Sequence, residues 1–132
     1  MSVVGACNLV GYLVALDRLA EARTTARELL LRHGSDAIHI GQISFAFEHL
    51  ALVLALEGDH AGAAQLAAHA DATLRSLGLE REFTEKATRT RLDILLAKCL
   101  QSDQREIRGA AITREEAVAL ALAALEEPPD GV

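Results

Sequence analysis

The sequence predicts an all-α fold of stacked antiparallel helical hairpins, and three observations predict it. Ala (25) and Leu (22) supply much of the 132-residue chain, while its two Pro stand together near the C-terminus, a composition that favours helix throughout. Apolar residues recur at helical spacing, with no β-branched runs of the kind strands require. The chain also repeats itself. Leu13, Asp17, Ala22, Ala26 and Leu29 return as Leu54, Gly58, Ala63, Ala67 and Ala70, each 41 residues later. Self-similarity at a period of roughly 20–50 residues marks stacked supersecondary units. About six helices over residues 1–125 form one helical-repeat domain, and 126–132, with Pro128, Pro129 and Gly131, reads as a flexible tail.

The first helix is expected over 2–16, where no charge interrupts Val3, Val4, Cys7, Val10 and Val14. The Asp17-Arg18 turn leads into a second helix over 19–32, which His33-Gly34 should end, Gly being the usual residue just past a helix. Ser35 or Asp36 is placed to cap a long third helix over 37–56. In it Ile43, Phe47, Leu50, Ala51 and Leu54 fall at i, i+4, i+7, i+8 and i+11, one apolar stripe. Phe45, Leu52 and Leu56 lie off that stripe, so this helix should be covered on two sides and stand at the centre. Gly58-Asp59 breaks the pattern, and Asp59 can cap a fourth helix over 60–77. Its inward face is Ala63, Ala67, Ala70, Leu74 and Leu77, where small side chains let two helices approach closely.

Gly78 closes the fourth helix. A fifth, over 82–100, sets Leu92, Leu95, Leu96, Cys99 and Leu100 on one side and clusters Lys86, Arg89 and Arg91 in its first half. A polar connector over 101–109 has room for a short helical turn. Thr113-Arg114-Glu115-Glu116 then spells a capping box, in which the Thr hydroxyl and the Glu carboxylate each satisfy an orphan amide. A sixth helix follows over 114–125.

Set against the tetratricopeptide consensus, Phe47, Leu50, Ala51 and Leu54 stand at its Trp-Leu-Gly-Tyr positions, Gly58-Asp59 at its turn, and Ala63 and Ala70 at its small-residue positions. The first hairpin follows through Leu9, Val10, Leu13, Glu21-Ala22 and Leu29. The chain thus resembles a tetratricopeptide-like repeat protein. Its period exceeds the usual value of about 34. With the run from Ala110 to Leu122, it is similar to the C-terminal helical repeat region of large bacterial ATP-dependent transcription regulators. The resemblance implies a solenoid that serves as a non-catalytic interaction scaffold, a sensory or oligomerising module for a protein or peptide partner.

In stacked hairpins the first helix of each pair lines the concave face, so a groove is expected along the first, third and fifth helices. The 41-residue offset makes Cys7, Glu48 and Arg89 equivalent, Asn8, His49 and Thr90 the next set, and Phe45 and Lys86 a third. The groove candidates are Asn8, Phe45, Glu48, His49, Leu52, Lys86 and Arg89. The resemblance gives Asn8 the role of bonding a peptide backbone. The alternative is a small-ligand pocket lined by Phe45, Phe47, His49 and Leu52. The first helix offers Val3, Val4, Cys7 and Val10 with no polar helix to cover them, so a homodimer through that face is expected.

Other function classes find little support. Net charge is −6, and the basic residues concentrate over 81–114, a pattern that suits a solvated helix face. Tyr12, Phe45, Phe47 and Phe83 are too few and too scattered to stack bases, so no direct nucleic-acid binding is expected. His39 and His49 point to different faces of one helix. Glu57 and His60 have di-iron half-site spacing but straddle a turn, and no second copy exists, so neither a metal nor a cofactor is expected. Cys7 and Cys99 fall among apolar residues and read as buried thiols rather than nucleophiles. No Walker or dinucleotide loop is present, and no enzymatic activity is expected. The uncharged stretch 2–16 is too short to span a bilayer, and two unpaired cysteines suit a reducing compartment, so a cytoplasmic location without membrane contact is expected.

Overall fold

The computed structural model describes residues 2–99 and 112–126. They form α1 (Val3–Ala15), α2 (Leu19–His33), a single 3-10 turn (Ala37–His39), α3 (Ile40–Leu56), α4 (His60–Leu77), α5 (Phe83–Cys99) and α6 (Arg114–Glu126), with no strand among the described residues. The all-α expectation holds, and each helix lies within a few residues of its sequence-predicted span. The expected connector over 101–109 lies outside the described residues. Glu126, placed in the tail by sequence, ends α6, and the rest of that tail is likewise outside them.

Three helices end in the same way. Asp17, Gly58 and Gly78 take left-handed conformations with φ of 58°, 97° and 67°. At each, the amide of that residue bonds the carbonyl three residues back and the next amide bonds the carbonyl five back: Asp17 to Val14 and Arg18 to Leu13, Gly58 to Ala55 and Asp59 to Leu54, Gly78 to Arg75 and Leu79 to Leu74. This doubly bonded closure uses up carbonyls that a helix end otherwise leaves unpaired. The first two turns match bond for bond at the 41-residue offset. Gly34 departs from expectation, being right-handed at φ −56°. Its small size serves close approaches instead, since a Cβ there would lie 2.6 Å from the Leu30 carbonyl oxygen and 3.3 Å from the Val118 side chain of α6.

Helix starts follow the sequence except at one place. Ser2 Oγ accepts from Gly5 N, Asp59 Oδ1 accepts from Gly62 N, and the Thr113–Glu116 box forms in both directions at 3.1 Å. Asp36 occupies the cap position of the 3-10 turn but makes no side-chain cap bond.

Packing centres on α3. Every residue from Ala46 to Ala55 is buried, because α4, α5, α1, α2 and α6 all pack against this helix. The segment Ala37–Leu56 is apolar and long enough to cross a membrane, with mean hydropathy 1.4, yet most of it is buried inside this fold, as befits a core helix. On α4, Ala63, Ala67, Ala70 and Leu74 face inward as expected, whereas Leu77, the last residue of the helix, is exposed. A regular third hairpin of α5 and α6 is replaced by another arrangement. α5 lies on α3 and α1, whereas α6 lies on α2, α4 and α3. α6 turns Ala117, Ala121 and Leu125 inward at four-residue spacing, a narrow stripe that fits between two helices.

Candidate functional site

The side chains that carry chemistry converge where α5 meets α3. Glu48, one turn after Ser44 on the inward face of α3, is fully buried, and a buried carboxylate must be paired. Arg81, in the stretch between α4 and α5, donates Nε to both Glu48 oxygens at 2.7 and 3.0 Å. Its Nη2 donates to Asp71 of α4. Arg89 of α5 grips the same Asp71 with two bonds of 2.9 Å, and its Nη1 lies 3.8 Å from Glu48. Two guanidinium groups thus offset two carboxylates across three helices. Burial pushes the Glu48 carboxyl above its ordinary range, against the pull of Arg81 and Arg89.

One residue on, His49 is buried and its Nδ1 meets Thr88 Oγ1 of α5 at 2.9 Å. Burial holds this imidazole down at about 4, so it is neutral near pH 7. Its far edge abuts α1 at Gly11. Cys7 is buried, donates its thiol to the Gln42 carbonyl at 3.2 Å, and is pushed by burial up to about 12, far from the thiolate a nucleophile needs. Cys99 is exposed, against the expectation of a buried thiol.

Of the seven groove candidates, Glu48, His49, Leu52 and Arg89 are brought together, but as an internal interface. The groove expected along the first, third and fifth helices is filled by α5 itself, whose Thr88, Leu92 and Leu96 are buried. Phe45 is half-buried, and Asn8 and Lys86 are exposed on α1 and α5. The alternative pocket is likewise corrected: Phe47 stands edge-on to His69 at 5.6 Å in the packed core, while Leu52 lines a cleft on the α5 side. The expected dimer face is corrected too. Val3, Cys7 and Val10 are buried within their own chain, leaving Val4 exposed. The reason is that α2 and α3 both pack on α1, more cover than one hairpin partner would supply.

Open space lies at the rim of that interface. A cleft of about 490 Å³ runs between α1 and α5, lined by Tyr12, Val14, Ala15, Leu52, Phe83 and Ala87 among others. Tyr12 is 54% exposed and Phe83 88% exposed. Asn8 stands one turn before Tyr12, and Lys86 one turn after Phe83. Periodicity alone missed this cleft, because the 41-residue offset pairs Tyr12 with Val53 and Phe83 with Gln42, so neither aromatic recurs at an equivalent position.

A second cluster escaped the sequence reading altogether. His33, Asp36 and His39 meet at the junction of α2 and α3, with ligand-capable atoms within 4.8 Å of one another. The signal was present as His-x-x-Asp-x-x-His, but it bridges a helix end and a 3-10 turn, where helical spacing arguments do not apply.

Comparison with known proteins adds no assignment: no protein family, curated protein or solved structure matches the chain.

Proposed function

We propose that the chain is a non-catalytic protein-interaction module, whose partner presents an apolar segment to the cleft between α1 and α5. The observation that carries this reading is the exposed aromatic pair at the cleft, Tyr12 and Phe83. Aromatic side chains dominate interface energetics, and an apolar notch with a polar rim is how partner anchors are received. Thr84 and Arg91 supply that rim. The polar groups behind it are engaged with one another, which leaves the cleft wall to act by shape and burial. On this reading the module is the sensory or oligomerising part of a bacterial regulator of the kind the sequence resembles.

A second reading has the same cleft receive a small apolar ligand. Its volume, about 490 Å³, falls within the roughly 300–1,000 Å³ of small-molecule sites. Panning a random peptide library on the purified chain separates the two. Peptides with apolar anchors are expected, losing about tenfold or more in affinity, ~1.4 kcal/mol, for a Tyr12→Ala/Phe83→Ala chain. Peptides that bind that variant as tightly as the parent would overturn the docking site. A small molecule retained by the parent and lost from the variant, seen by native mass spectrometry, would favour the second reading.

A further inference from the structure

The connection between α2 and α3 reads His33-Gly34-Ser35-Asp36-Ala37-Ile38-His39. α2 ends on His33, the chain bends, and the 3-10 turn ends on His39. His33 Nδ1 lies 2.7 Å and His39 Nδ1 3.5 Å from one and the same atom, Asp36 Oδ2. The two rings stand edge to face with centroids 5.7 Å apart.

Local folding leaves two things about this cluster without a purpose. Asp36 sits where a cap residue belongs, yet its carboxylate turns away from the backbone amides toward the imidazoles. His39 Nδ1 is shielded from solvent and makes no hydrogen bond. A single proton fits between His33 Nδ1 and Asp36 Oδ2, and none of the bonds present serves the third member.

We propose that His33, Asp36 and His39 form a binding site for a divalent transition-metal ion, with Zn²⁺ the class best suited to two imidazoles and a carboxylate. Zinc bonds of about 2.0–2.1 Å in a tetrahedron set ligand atoms roughly 3.4 Å apart. The pair at 3.5 Å already stands at that spacing. The pair at 2.7 Å opens when the proton between its atoms gives way to the ion. A neutral His33 then carries its proton on Nε2, and an imidazolium releases one proton. Three protein ligands leave the fourth position to water.

The mount for these ligands is firm. Arg114 of α6 donates Nε to the Gly34 carbonyl at 2.7 Å and Nη2 to the Asp36 carbonyl at 2.6 Å. That guanidinium addresses backbone oxygens, and among the described residues no Lys or Arg pairs with the Asp36 carboxylate. His33 and Asp36 are part-exposed, which gives an ion access from solvent, and the shielded Nδ1 of His39 stands behind them. This site is separate from the α1–α5 cleft and stands or falls independently of the function proposed for it.

The test is titration of the tag-free chain, in a Cys99→Ser background, with Zn²⁺ against a competing chromophoric chelator and with Co²⁺ by visible absorption. One ion per chain is expected, with cobalt d–d bands and no sulfur charge-transfer band. Affinity should fall by about tenfold or more in Asp36→Asn and in His39→Gln, and stay unchanged in His60→Gln. Zn²⁺ should raise the melting temperature of the parent but not of the two site variants. If Asp36→Asn is unfolded by circular dichroism, His39→Gln decides, because His39 Nδ1 has no hydrogen bond to lose. Failure to bind at submillimolar Zn²⁺, binding that vanishes with Cys99→Ser, or equal binding by parent and His39→Gln would each overturn the proposal.

Discussion

His49 stands where a side chain on Gly11 would have to be: a Cβ built on Gly11 lies 2.7 Å from His49 Nε2 and 2.9 Å from its Cε1. The imidazole cannot retreat, since its other edge is held by Thr88 of α5. Gly11, His49 and Thr88 therefore set the distances among α1, α3 and α5 together.

Gly11→Ala should for that reason destabilise the fold. Helix propensity favours Ala over Gly by about 1 kcal/mol, while overpacking a filled site costs about 1–3 kcal/mol. A net loss near 1 kcal/mol is expected in urea denaturation. A gain in stability would show that His49 moves aside.

The neutral state of His49 makes stability depend on pH. Its folded value is near 4 and its unfolded value 6.5, so the unfolded chain takes up a proton in that interval and the folded chain does not. The contribution is complete above pH 6.5 and is lost as pH falls toward 4, by at most about 3 kcal/mol. Burial lowers His69 too, which acts in the same direction, whereas the raised Glu48 carboxyl acts oppositely. The difference between parent and His49→Gln isolates the histidine. Their stability curves should converge from pH 6.5 to pH 4, and parallel curves would assign the effect elsewhere.

Glu48→Gln keeps the shape of the buried side chain and removes its charge. Arg81 and Arg89 then share Asp71 as their remaining carboxylate within the core network. Guanidinium bonds to a neutral, partly mismatched partner lose about 1–3 kcal/mol, of which relief from burying the charge returns a part, so a smaller net loss is expected. Denaturation midpoints measured at pH 7 would check it.

Ala63 is fully buried on the face of α4 that packs against α3. Ala63→Leu should overpack that contact by about 1–3 kcal/mol. An unchanged midpoint would mean that the two helices can spread apart.

Helix existence and boundaries were legible because each signal is local: Asp59 before α4, the Thr113–Glu116 box before α6, a run of Ala and Leu between breakers. The course of α5 was not. Its burial depends on Glu48 finding Arg81 and His49 finding Thr88, partners 33 and 39 residues away in sequence. Repeat spacing placed Glu48, His49 and Arg89 on facing helix surfaces but treated the space between them as open. The buried Leu92 and Leu96 of α5 and the charge pairing across those helices close it together. The His33, Asp36 and His39 cluster stayed hidden because a bend, not a helix, brings its members together.

Arg114 holds carbonyls of the α2–α3 bend, and Arg23 of α2 donates to the Ala124 carbonyl at the other end of α6. These bonds join residues 78 to 101 positions apart, so α6 fastens a part of the chain made long before it. A ribosome working from the N-terminus delivers α6 last among the described helices. Until it emerges, the sides of α2 and α4 that will receive Ala117, Ala121 and Leu125 stay wet, and the bend at Gly34 lacks its clasp. The nascent chain can close its hairpin turns early, since those bonds are local, but this bundle is completed only once α6 has been made. Arrested translation just short of Arg114 would consequently leave a chain with formed helices and an unsealed flank, the kind of intermediate that chaperones retain.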